Sequence, residues 1–134
     1  MARLPEEIKP CMQGAIPSTL VTCSKDGVPN MTVISQVFWV SEERVALSFQ
    51  FFSKTIMNVR ENPQAKVTVV SPVDFTPWVL GIRYLHSETD GPTFDSMDMQ
   101  LEAIASMSGL SGVFKLKAAD IYAVESVQKI DLSG

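Results

Sequence analysis

The β-rich runs in the first part of this chain lie so close together that no crossover helix fits between them, and this limits the fold more than any other feature. Leu20–Cys23 and Met31–Val40 are separated by Lys25-Asp26-Gly27-Val28-Pro29, whose Asp-Gly pair supplies the positive φ of a hairpin turn. Ser41-Glu42-Glu43 reads as a second polar turn before Arg44–Phe51, where Val45, Leu47, Phe49 and Phe51 fall on one face at period two. Three strands in succession predict a meander. Parallel strands need long crossovers, so a βαβ nucleotide-binding sheet is excluded.

Farther along, Ser53 offers an N-cap hydroxyl, Ile56 and Val59 mark an apolar stripe, and Asn62-Pro63 ends the short helix because proline disfavours helix at the residue before it. Lys66–Ser71 and Trp78–His86 return to strand character, divided by Pro72 and Pro77. Asp90-Gly91-Pro92 opens a longer helix in which Phe94, Met97, Leu101 and Ile104 recur at helical spacing before Gly109. Val113–Lys117 and Ile121–Val127 are the last two strands. Seven short strands and two helices predict a mainly β fold, an antiparallel sheet curled into a barrel.

At 134 residues, 46% hydrophobic and 19% charged, the chain reads as a single domain over residues 1–134 whose core needs no metal or disulfide. A formal net charge of −4 argues against a general phosphate-backbone binder, so nucleic acid is not an expected partner. Apolar runs such as Val37–Val40 fall far short of the roughly 20 residues that span a bilayer. Glu6, Glu7 and two prolines interrupt residues 1–17, where a secretory signal would be apolar. The expectation is a cytoplasmic protein without a membrane partner. Cys11 and Cys23 form no CxxC pair and, with one histidine, cannot fill a four-ligand zinc site; they are expected as reduced packing thiols.

No Ser/His/Asp triad, metal cluster or Walker loop is legible. The suggestive element is Ser53-Lys54-Thr55 at a helix start directly after a strand. Unpaired backbone N–H groups there, with two hydroxyls and an ammonium, suit a phosphate, although simple capping explains most such triplets.

Taken together, Asp26-Gly27-x-Pro29, a strand, a polar hairpin, a second strand, Ser53-Lys54 and then Asn62-Pro63 at the matching spacing resemble the FMN-binding split-barrel family of pyridoxamine 5'-phosphate oxidase, over roughly Leu4 to Ile130. The resemblance implies FMN as cofactor. Ser53 and Lys54 match the phosphate-binding positions, and Thr55 stands where many relatives have a second lysine. Thr32, Val33, Ile34 and Ser35 match the strand along the ribityl chain and ring, with Thr32 where the oxidase has a phosphate-binding arginine. Phe49 and Gln50 match the pair that reaches the ring edge. Two cations are missing relative to the oxidase, which implies weaker FMN retention, with Arg60 or Arg83 as substitute charges. The C-terminal Arg and His of the true oxidase are absent, so a pyridoxamine phosphate oxidase is not expected.

Trp78 is either a group stacking on a partner's flavin or an interface anchor. His86, the single histidine, reads as a surface or hydrogen-bonded residue before a haem ligand. The resemblance further implies an oxidoreductase that passes hydride from NAD(P)H or a deazaflavin to a small organic acceptor or oxygen, with no catalytic side chain and no metal. A homodimer with flavin sites at the interface is expected, since two-fold pairing covers exposed strand edges. The alternatives are a non-catalytic module holding FMN or another planar cofactor, and a degenerate barrel kept for dimerisation.

Overall fold

The computed structural model describes residues 2–12, 17–34, 37–49, 58–59, 61–107 and 118–130, with the backbone alone for residues 48, 49, 104, 105 and 107. A 3-10 helix η1 (Glu6–Met12) precedes strands β1 (Ser18–Cys23), β2 (Pro29–Ile34), β3 (Val37–Ser41), β4 (Arg44–Phe49), β5 (Gln64–Val70) and β6 (Pro77–Glu88); helix α1 (Pro92–Met107) and strand β7 (Ala118–Lys129) follow. The strands form one antiparallel sheet in the order β2-β1-β5-β6-β7-β4-β3. Its two edge strands, β2 and β3, are separated in sequence by residues 35 and 36 alone. A two-residue connection cannot cross a flat seven-stranded sheet, so the sheet curls to bring the end of β2 near the start of β3, with no ladder between them among the described residues.

The Asp26-Gly27 turn forms as expected. Gly27 has φ +84°, its N–H donates to the Ser24 carbonyl at 3.0 Å, and Cys23 faces Pro29 in the β1–β2 ladder. The simple meander does not. β1 lies between β2 and β5, and the run Met31–Val40 is divided between β2 and β3. The cause is parity. Ile34 and Val37 are both buried but stand an odd number of residues apart, and a strand that alternates faces cannot put both inward without a break.

The last strand also departs from expectation. Ala118-Ala119-Asp120, read as a gap between two strands, lies inside β7, where Ala119 is fully buried and the Asp120 carboxylate accepts a hydrogen bond from Ser87 Oγ at 2.6 Å. Residues 113–117 and Phe51, expected as strand, lie outside the described residues. η1 had no sequence signal because Pro10 sits within it, yet it buries Ile8, Cys11 and Met12 in the main core with Leu20, Val67, Leu80 and Ile82.

Helix α1 begins as expected at Gly91-Pro92. Gly91 has φ +97°, and the Asp95 N–H donates to the Gly91 carbonyl. Met97 and Leu101 of its stripe are buried against Ala46, Ala119 and Ile121, with Phe94 packed alongside, where the two alanines let the helix approach the sheet. Ile104, the fourth member, has no described side chain. Among the described residues no helix is long and apolar enough to cross a membrane.

Candidate functional site

β2 carries three of the expected cofactor residues. It is an edge strand, flanked by β1 on one side and by no other strand among the described residues. Thr32 and Ile34 turn toward the barrel, Thr32 half-buried and Ile34 only 1% exposed. Val33 turns outward and is 64% exposed, beside Met31 at 73%. Two large apolar side chains on one short edge strand form a surface that a planar ligand or a second chain would cover. Ser35 lies outside the described residues.

The second expected segment is described only at its ends. β4 finishes at Phe49, whose backbone pairs with Ala118 of β7. Gln50, Ser53, Lys54, Thr55 and Arg60 lie outside the described residues. The far end follows the sequence reading. Asn58, Val59 and Glu61 are helical, and the Asn62 N–H donates to the Asn58 carbonyl at 2.6 Å, closing the last turn. Asn62 Oδ1 accepts from the Gln64 N–H at 3.3 Å, and the Pro63 carbonyl accepts from the Tyr84 N–H at 2.8 Å, so the Asn-Pro pair ends the helix and starts β5. Val59 enters the core, and buried Asn58 donates from Nδ2 to Thr22 Oγ1 at 3.2 Å. This end of the segment is thereby fixed onto β1.

Of the side chains with open roles, Trp78 is 5% exposed and belongs to the main core, with Lys129 Nζ 5.3 Å from its ring centroid. Its ring is a packing group. Arg83 is exposed, enters no ion pair among the described residues and pairs with Gln64, immediately after Asn62-Pro63. That places it by the C-terminal end of the 53–63 segment. His86 Nε2 lies 3.0 Å from Glu88 Oε2 on the surface, as the hydrogen-bonded reading has it.

The sequence reading missed a polar cluster between β6 and β7. Tyr84 Oη and Ser87 Oγ are 2.5 Å apart, and Ser87 Oγ donates to buried Asp120 at 2.6 Å. The Tyr84 and Tyr122 rings meet edge-on at 5.5 Å. Burial, reinforced by the Asp120 charge and by Tyr84, raises the pKa of the Tyr122 phenol above its ordinary value, keeping it neutral. Only the register links these residues. β6 skips a position between Tyr84 and His86, so Ser87 faces Asp120, and a bulge leaves no mark in hydrophobic periodicity.

A family model described as pyridoxamine 5'-phosphate oxidase matches residues 4–125. No curated protein matches the chain significantly. Among solved structures, an FMN-binding protein from Syntrophomonas wolfei subsp. wolfei is similar at TM-score 0.76 and 18% identity, covering 94% of this chain and 86% of its own. An F420 reductase is similar at TM-score 0.66 and 12% identity, over 93% and 98% of the two chains. HutZ, a haem storage protein from Vibrio cholerae, is similar at TM-score 0.61 and 17% identity, over 95% and 94%. The likeness to these structures confirms the split barrel, and the match over residues 4–125 establishes that the chain belongs to the pyridoxamine 5'-phosphate oxidase family.

Proposed function

We propose that the chain is an FMN-binding oxidoreductase that works as a homodimer. The observation that carries this reading is the edge strand β2, the strand the family resemblance assigns to the flavin, which exposes Met31 and Val33 side by side. Ser53, Lys54 and Thr55 are the expected phosphate contacts, with Thr32, Val33, Ile34 and Ser35 along the ribityl chain and ring and Phe49 and Gln50 at the ring edge. Bound FMN supplies hydride and electron transfer, between a nicotinamide or deazaflavin donor and a small organic acceptor or oxygen. The chain's own residues position the ring and shield one face from water. Its second subunit covers the apolar β2 surface. The His86 contact with Glu88 gives the haem reading no support.

The test is spectroscopic. Protein reconstituted with FMN should show a flavin absorption band that bleaches anaerobically with NAD(P)H or a reduced deazaflavin and recovers in air. A stable yellow protein inert to all donors would leave a holding module, and protein that takes up no FMN would end the reading. Lys54→Ala should weaken FMN binding by roughly tenfold or more while leaving riboflavin binding little changed, because a charge-assisted contact to phosphate is worth about 1.5–3 kcal/mol. Equal loss for both ligands in titration calorimetry would remove Lys54 from the phosphate.

A further inference from the structure

A cavity of about 330 Å³ opens on the outer face of the sheet over Gly81. The ladders explain its floor. Lys66 of β5 faces Gly81 of β6, and Gly81 faces Ser126 of β7, so these residues form one row across three strands. With no side chain at Gly81, the middle of that row is bare backbone. A Cβ there would come 2.3 Å from Ser126 Oγ, the atom that accepts the Gly81 N–H at 3.1 Å.

The next pair in the ladder is Ile82 with Val124, which leaves Glu125 as the extra residue of a β-bulge. Bulges turn a side chain away from the direction the pleat would give it. Glu125 lines the cavity on one side and Lys66 on the other, their strands two spacings or about 10 Å apart. Both are exposed, and neither enters an ion pair among the described residues. Asn62 adds a donor on the Lys66 side, because its Oδ1 already accepts the Gln64 N–H and its amide NH₂ is the group left over. One wall therefore offers a cation and an amide donor, and the other a carboxylate and a serine hydroxyl.

We infer that this cavity binds a small zwitterion, an amino acid or short ω-amino acid, with its carboxylate toward Lys66 and Asn62 and its ammonium toward Glu125. The bare backbone at Gly81, between Lys66 and Ser126 in the row, gives the ligand's carbon chain an uncharged floor. The site does not depend on flavin binding. It begins in the same row as exposed Met31 of β2 but two strands along, where the apolar surface gives way to Lys66.

The test is titration of the isotope-labelled full chain with 4-aminobutanoate, using butanoate and butylamine as single-charge controls, read by NMR at the Gly81 and Ser126 amides. The expected result is a saturable shift of both amides, at least about tenfold tighter for 4-aminobutanoate than for either control, since two opposite charges are engaged at once. Lys66→Met and Glu125→Gln should each weaken it by about tenfold, and the charge exchange Lys66→Glu with Glu125→Lys should restore it. Both positions are exposed, and a thermal melt of each variant checks that it folds. Equal response to all three probes, no saturable shift, or binding unchanged in both single variants would overturn the assignment. So would burial of the Gly81 and Ser126 amides by a second copy of the chain. FMN uptake, measured on the same samples, should be the same in both variants and wild type; loss of FMN together with 4-aminobutanoate would also overturn it, whereas failure of wild type to bind FMN bears on the flavin proposal alone.

Discussion

On the outer face of the sheet, Gly81 has no room for a side chain. Gly81→Ala puts a methyl group against Ser126 Oγ and should lower stability by about 1–3 kcal/mol in urea unfolding. Removing that oxygen removes the conflict, since the next contact, Ser126 Cβ, is an ordinary 3.5 Å away. The double variant Gly81→Ala with Ser126→Ala should therefore lose less than the two single variants added together. Phe75 has the opposite character. It holds φ +61°, a conformation unfavourable for any residue with a Cβ, in a turn braced by Phe75 N–H to the Ser71 carbonyl and Thr76 N–H to Asp74 Oδ1. The Thr76 N–H foremost, with the Thr76 and Ser71 hydroxyls and the Lys129 charge, holds the Asp74 carboxyl below its ordinary pKa. Phe75 is also 66% exposed, so Phe75→Gly should raise stability by about 1 kcal/mol, a gain readable as a higher melting temperature. Neither position could be judged from the sequence. Gly81 falls there inside the strand run Trp78–His86 with nothing to show what faces it, and nothing near Phe75 marks a left-handed residue.

At the scale of elements, the short helix before β5 is held at its end by one buried side-chain contact. Asn58→Ala removes the donor to Thr22 Oγ1 and leaves that oxygen buried without it, a cost of about 1–3 kcal/mol. A double-mutant cycle with Thr22→Val checks the pairing, since coupling between the two sites is expected and additive losses would contradict it. The end of this helix was legible because proline acts locally, whereas the Asn58 contact spans 36 residues and left no trace. The strands divide in the same way. Each β-rich run up to Trp78–His86 contains strand in its described residues, and the Asp-Gly turn closes the first hairpin. The break between β2 and β3 could be seen only once Ile34 and Val37 were known to share one interior. Of the candidate site, β2 could be followed into the structure and the Asn-Pro terminus was found in place. The Ser87 partner of Asp120 and the placement of Glu125 depend on bulges, which hydrophobic pattern does not encode.

For the molecule as a whole, the buried Tyr122 predicts how stability varies at alkaline pH. Its folded-state pKa is raised above the unfolded value, so its contribution is fully present below about pH 10 and is lost as pH rises beyond it, because the unfolded chain releases the proton first. The expected slope from this one group is about 1.4 kcal/mol per pH unit, and Tyr122→Phe should flatten that limb in denaturant melts between about pH 10 and 11.5. An unchanged limb would mean that the phenol ionises in place. The short spacing of β-rich runs, the turn chemistry and the family motifs determined by themselves that this chain makes an antiparallel barrel of the pyridoxamine 5'-phosphate oxidase type, since each acts through neighbours in sequence. Tertiary structure alone decided that β1 lies between β2 and β5, that Trp78 is core, and that Lys66, Gly81 and Glu125 surround one cavity. Those facts follow from which strands pair and in what register, and pairing between distant segments is settled by the shared core they bury, which no local stretch of sequence contains.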